Sequence, residues 1–217
     1  MNIPPIIIPS ITVPHDTSVG NVCDVLGSHG RSYTIDQASW VESFPYKPQT
    51  KVLLGHDNKY IYAWFIVRSK SVKGVYLHDQ EPVSSDSCVE IFLQPEVGGE
   101  YWNFEFNCLG TLNASHRIIK PESTKLTPQE ASTILRFPSL HRESFDETDG
   151  ITEWDLMIMI PLALMNIETS EFPVQMRGNI YSCASGMKDP YYMSYYPIDS
   201  PKPNYHLPET FGQIVLE

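Results

Sequence analysis

Two short segments constrain this chain more than any other feature. Asp86-Ser-Cys-Val-Glu-Ile-Phe-Leu-Gln94 and Tyr101-Trp-Asn-Phe-Glu-Phe-Asn-Cys108 each alternate residue by residue, with Glu96-Val-Gly-Gly-Glu100 between them. Strand side chains point to opposite faces in turn, so Val89, Ile91 and Leu93 share one face and Glu90, Phe92 and Gln94 the other. In the second segment Trp102, Phe104 and Phe106 oppose Asn103, Glu105 and Asn107. Two such runs around a Gly-Gly turn predict a β-hairpin. A turn centred on Val97-Gly98 sets Glu90 opposite Glu105 and Phe92 opposite Asn103. One face is then apolar, and the other carries two carboxylates, several amides and a ring. A merely solvated sheet face is richer in Lys, Thr and Ser, so this one suits the holding of something polar.

At 217 residues with 41% hydrophobic content, the chain suits one β-sandwich. A chain of this size buries about 70% of its unfolded surface, enough for a core without staples. Charged residues at 19% and aromatics at 12%, with 18 Pro, fit strands and ordered loops rather than disorder. A formal charge of −11 argues against nucleic acid, which needs a basic stripe. Cys23, Cys88, Cys108 and Cys183 show no CxxC spacing, so free thiols are expected rather than a zinc ribbon or disulfides. Ile6-Ile-Ile8, between prolines, is too short for a membrane span or a signal-peptide core, so neither membrane nor export is indicated. The chain as given reads as cytoplasmic by default, or extracellular or periplasmic if a signal has been removed.

Residues 1–20 are Pro-rich and apolar, as in a tail or edge strand. Tyr60-Ile-Tyr-Ala-Trp-Phe-Ile-Val67 is continuously apolar and predicts a central strand. In Ile151 to Ile160, the residues Trp154, Leu156, Ile158 and Ile160 alternate up to Pro161, which stops pairing and opens a short helix over Leu162-Ala-Leu-Met165. A second short helix is expected near Pro128-Gln-Glu-Ala-Ser132, with further strands over Gln175–Cys183 and Phe211–Leu216. The fold expected is all-β: a two-sheet antiparallel sandwich of immunoglobulin or jelly-roll type, with one or two short helices, spanning 1–217 as one domain.

The ordered set Lys59-Tyr-Ile-Tyr-Ala-Trp-Phe, Asp86-Ser-Cys-Val-Glu-Ile-Phe, Tyr101-Trp-Asn-Phe-Glu-Phe-Asn, Trp154-Asp-Leu, Arg177-Gly-Asn-Ile-Tyr-Ser-Cys183 and His206-Leu-Pro-Glu-Thr-Phe-Gly-Gln-Ile-Val215 resembles the family 9 carbohydrate-binding modules, of the DOMON-like group. The likeness runs from about Trp40 to the C-terminus and is greatest with a single-domain, Bacteroidetes-type branch. It implies a non-catalytic sandwich that holds a mono-, di- or oligosaccharide between rings, in polysaccharide utilisation. Sugar C–H faces stack on rings while carboxylates, amides and Arg satisfy the hydroxyls. Carried over by position, the resemblance makes Glu90 a sugar contact, Tyr195 the late-loop ring, and Arg177 and Asn179 neighbours of the slot. The family's other ring, a Trp six residues before the acid, is Ser84 here, leaving Tyr76 or His78 to supply one. The resemblance also admits a structural calcium, although no dense Asp/Asn loop marks a place for it. A glycoside hydrolase is the partner protein it suggests.

The ligand-binding set expected is therefore Glu90, Asn103, Glu105, Arg177, Asn179, Tyr195 and Tyr196. Each has a plainer alternative. Glu90 and Glu105 could pair with Arg177 or Arg117, Arg177 and Asn179 could sit on an outer face, the 191–196 tyrosines could pack a core, and His206 could be a satisfied buried histidine. Seven scattered histidines with no HxH or HExxH spacing indicate no metal centre. Two other functions stay open: a glycoside-active enzyme using Glu90 and Glu105, and a structural sandwich that has lost its ligand.

Overall fold

The computed structural model describes residues 3–14, 18–118, 122–167 and 172–217. The described strands are β1 (Ile6–Ile8), β2 (Arg31–Thr34), β3 (Gln49–His56), β4 (Tyr60–Gly74), β5 (Cys88–Gln94), β6 (Tyr101–Asn107), β7 (Leu112–Arg117), β8 (Thr124–Lys125), β9 (Leu135–Pro138), β10 (Phe145–Pro161), β11 (Val174–Ala184), β12 (Tyr191–Ser194) and β13 (Gly212–Leu216). They make two sheets. One runs β1-β13-β11-β5-β6-β7-β8, with β12 also pairing with β11, and the other runs β2-β3-β4-β10-β9. Pairing is antiparallel except between β1 and β13, so the N-terminal segment does supply an edge strand.

The sandwich core lies where the apolar alternations meet. Val89, Ile91, Leu93, Trp102, Phe104 and Phe106 of one sheet face Ile61, Ala63, Phe65, Val67, Trp154, Leu156, Ile158 and Ile160 of the other. The hairpin takes the expected register, Glu90 opposite Glu105 and Phe92 opposite Asn103. Gly98 turns it at φ +79°, a conformation other residues seldom adopt. β4 is apolar on both faces because both are covered: its even positions Tyr62, Trp64 and Ile66 pack with Met157, Ile11 and Leu26 on the outside.

Leu26 belongs to an element the sequence pattern did not announce, the helix α1 (Val19–His29). It is capped by Ser18 and buries only Val22 and Leu26 fully. The second helix, α2 (Pro128–Thr133), falls where expected, with a Thr127–Glu130 capping box. Leu162–Met165 is a 3-10 turn.

The outer face of the first sheet is the one that matters for function. It is not a shallow, solvated surface. Trp40, Ile198, Tyr205 and Phe211, from the segment before β3 and from the chain between β12 and β13, close over Cys88, Phe92, Tyr101, Tyr181 and Cys183 as a second apolar layer.

A roofed carboxylate pocket as candidate functional site

β5 places Glu90 between two neighbours on the outer face, Glu105 of β6 on one side and Tyr181 of β11 on the other. Both carboxyls are almost removed from water, at 2% and 6% exposure. Like charges directly opposed across strands destabilise a sheet unless something compensates. For Glu105 the compensation is a fan of donors: Asn103 Nδ2 at 3.0 Å to Oε1 and Asn113 Nδ2 at 2.9 Å to Oε2. Arg117 reaches it only through an intermediary, donating to Asn103 Oδ1 at 3.0 Å and to Ser115 Oγ at 2.5 Å. Burial raises the Glu105 pKa, against the pull of Asn113, Arg117 and Asn103.

Glu90 is held differently. Its Oε1 lies 3.2 Å from Cys183 Sγ and 3.8 Å from Cys88 Sγ, both thiols pointing at one oxygen. Among the described residues neither glutamate has an ion-pair partner. Burial, then Cys183 and Glu105, push Glu90 well above the usual carboxylate range. A carboxyl driven toward its neutral form both donates and accepts, as a sugar hydroxyl does.

These groups floor a pocket of about 370 Å³, walled by Pro82, Ser84, Ser185 and Pro203 and by the rings of Tyr192, Tyr205 and His206. Tyr205 stacks on Tyr181 with centroids 4.0 Å apart, which fixes it as wall. Tyr192 stands edge-on to Phe44 at 4.8 Å and to Trp40 at 6.1 Å, so the 40–44 segment buttresses it. His206 leans on Phe92 at 4.9 Å, with Nδ1 3.2 Å from Tyr101 Oη. Larger hollows of about 490 and 540 Å³ lie beside Trp102 and between Asp36 and Arg68, but neither is lined by a buried ionisable side chain.

The seven expected site residues do not all meet here. Glu90 and Glu105 line the pocket, and Asn103 braces Glu105 from beside it. Arg177, Asn179, Tyr195 and Tyr196 do not line it. The Arg177 guanidinium donates to the carbonyls of Phe211 and Glu209 and clamps the turn before β13. Asn179 lies opposite Phe92, not Glu90, and its amide brackets Tyr196, donating to Tyr196 O at 3.0 Å and accepting from Tyr196 N at 2.9 Å. Tyr196 Oη accepts from Ile6 N and donates to Gln213 O, sewing β1 to the sheet edge. Tyr195 packs edge-on against Tyr33 at 5.3 Å. Alternation put Arg177 and Asn179 on the correct face of β11 but beyond the pocket, while Tyr195 and Tyr196, expected from the resemblance and the Tyr-rich loop, follow β12 and pack with the core between the sheets.

Asn113, Tyr192, Tyr205 and Cys183 are lining residues that the sequence reading missed. Asn113 was recoverable, since continuing the meander into β7 puts it opposite Glu105. His206 is half-buried at the pocket rather than fully interior. Ser84 does line the pocket, where the resemblance places a Trp, and neither Tyr76 nor His78 fills in for it.

Residues 26–216 match the model for carbohydrate-binding family 9. No curated protein sequence matches the chain. Among solved structures, a candidate carbohydrate-binding protein from Bacteroides uniformis superposes with a TM-score of 0.91 at 27% identity, covering 98% of each chain. Family 9 modules from Caldicellulosiruptor kristjanssonii share the fold at lower identity. The glucose complex gives a TM-score of 0.60 at 13% identity, covering 99% of this chain and 96% of that one. The cellotriose complex gives 0.61 at 12%, covering 99% and 94%. With a two-sheet sandwich and a family match over nearly its whole length, this chain belongs to carbohydrate-binding family 9.

Proposed function

We propose that the pocket over Glu90 and Glu105 binds a neutral sugar, a free unit or the end of a saccharide chain, without cleaving it. One observation carries the reading: two adjacent, buried carboxyls line an open pocket with no ion-pair partner among the described residues. Its volume of about 370 Å³ lies within the range of small-ligand pockets, about 300–1,000 Å³. In this reading Glu90, Glu105 and Asn113 exchange hydrogen bonds with hydroxyls, and the half-buried Tyr192 and His206 offer ring surface to C–H faces. The gap at Ser84, where the resemblance places a Trp, widens the entrance and favours a bulkier or branched sugar. The family complexes with glucose and cellotriose support the ligand class. By holding a saccharide, the domain raises its effective concentration near an activity supplied by a partner such as a glycoside hydrolase.

The test is calorimetric titration and thermal shift against monosaccharides, disaccharides and short oligosaccharides. A ligand at about 100 times its Kd stabilises by about 2.7 kcal/mol. Glu105→Gln and Tyr192→Ala should each weaken binding about tenfold or more, a loss of about 1.4 kcal/mol. A full panel with no shift would overturn the reading. Release of reducing sugar, lost in Glu105→Gln, would replace it with a hydrolase that uses the opposed carboxyls.

A further inference from the structure

The sugar-binding reading assigns no part to the two thiols around Glu90. Cys88 and Cys183 sit directly opposite each other on β5 and β11, and Glu90 lies two residues along from Cys88 on the same face. All four cysteines of the chain are free. Among the described residues, Cys88, Cys183 and Glu90 are the one group of three or more His, Cys, Asp and Glu side chains whose donor atoms fall within 4.8 Å of one another. We propose that these three side chains bind a thiophilic divalent cation, zinc above all, on the floor of the pocket, and that the cation and the sugar compete for Glu90. The cation site stands on its own geometry; only the competition rests on the sugar-binding reading.

The spacing fits. Tetrahedral zinc with Zn–S of about 2.3 Å and Zn–O of about 2.1 Å sets sulfur and oxygen roughly 3.6 Å apart. The two sulfur–oxygen distances here are 3.2 and 3.8 Å. Two thiols and one carboxyl select a borderline or soft ion over calcium, which takes six to eight oxygens. Cys183 and Glu90 line the pocket, so an ion has a way in, with Cys88 buried beneath them. Adjacent β strands hold all three, and a fourth position opens into the pocket for water. Binding is proton exchange with no redox step: each thiol gives its proton to solvent, as Glu90 does when protonated, and the two S–M bonds and one O–M bond form. A site with an ion in it resolves a local conflict, since three groups able to carry negative charge otherwise crowd together in an apolar layer.

The probe is cadmium, on reduced, metal-free full-length protein. We expect one ion per chain, a thiolate-to-cadmium charge-transfer band in the ultraviolet, and proton release seen with a pH indicator. Cys183→Ala should remove the band, and Glu90→Gln should weaken binding by at least the roughly 100-fold that the largest outer-shell losses reach. Should the cysteine variants fold poorly, the wild type decides by itself: zinc must protect two buried thiols from alkylation in partly opened protein and leave Cys23 reactive. No band at saturating cadmium, or a band that survives Cys88→Ala/Cys183→Ala, overturns the site. Sugar titrations with and without zinc form a separate arm. A tenfold or greater loss of sugar affinity with zinc bound supports competition, and unchanged affinity overturns it. Absence of any sugar binding defeats the earlier reading while leaving the cadmium result intact.

Discussion

Asp86 and Glu90 share one strand motif and are equally hidden from water, yet their surroundings give them opposite duties. Asp86 is fully buried and its Oδ2 accepts from Val75 N at 2.9 Å, Tyr76 N at 3.0 Å and Asn107 Nδ2 at 3.0 Å. It ties the end of β4 and the loop after it to β6, and so fixes the wall that carries Ser84. Glu90, four residues on, accepts from no backbone N–H among the described residues, only from two thiols, and turns toward the pocket. One acid builds and the other stays available. Removing Asp86 takes the acceptor from two part-buried backbone N–H groups and one buried amide N–H, each costing about 1–3 kcal/mol, less than additively because they share one acceptor. Asp86→Ala should therefore lower stability by about 3 kcal/mol or more in urea unfolding, with the slope m unchanged. Asp86→Asn, which keeps one acceptor oxygen, should recover part of that. A loss below about 1 kcal/mol would show that the loop is held by other contacts.

At the scale of elements, legibility in the sequence followed periodicity. β5, β6 and β10 declared themselves because each alternates, and the Glu90–Glu105 register came out of the turn alone. α1 stayed hidden: Val19-Gly-Asn-Val-Cys-Asp-Val-Leu-Gly-Ser-His29 holds two glycines, and only Val22 and Leu26 are fully buried. Its helix propensity is poor and packing on β3 and β4 decides it. The roof was illegible for a deeper reason, since aperiodic loops take their course from what they cover. Arg177 shows the consequence. Its position on β11 looked like a ligand contact, whereas its guanidinium holds the carbonyls of 209 and 211, and with them the segment running from His206 into β13. Arg177→Ala should lower stability by about 1–2 kcal/mol, the worth of charge-assisted hydrogen bonds at a partly exposed site. Since His206 lies on that segment, sugar affinity should fall less than threefold. A loss as large as that of Glu105→Gln would put Arg177 in contact with ligand.

The whole molecule works as two sheets that must not slide, because the pocket is floored by one sheet while its Tyr192 wall is buttressed by the segment between β2 and β3 of the other. Trp40 of that segment donates to Ser200 O at 2.7 Å, and buried Thr50 and Ser182 join hydroxyls across the core at 3.2 Å. On the opposite flank Arg136 of β9 does the same work: Nη1 donates to Asp79 Oδ1 at 2.7 Å and to Gly110 O at 3.2 Å. Asp79 in turn accepts from Leu112 N at 3.0 Å. A staple from the second sheet thus reaches the β6–β7 turn of the first. Burial alone would raise the Asp79 pKa, but Arg136 and the Leu112 amide outweigh it and hold the carboxyl below its ordinary value of 3.8. A carboxylate depressed in the native state binds its proton more readily when unfolded, so the stabilisation is complete above about pH 5 and drains away as pH falls through 3.8 toward the native value. With both side chains only partly buried, Asp79→Asn should cost about 1–2 kcal/mol near neutral pH. The gap between wild type and variant, followed by urea unfolding from pH 7 to pH 3, should narrow only in the acid limb. A gap that stays constant across that range would mean that the staple holds by shape and not by charge.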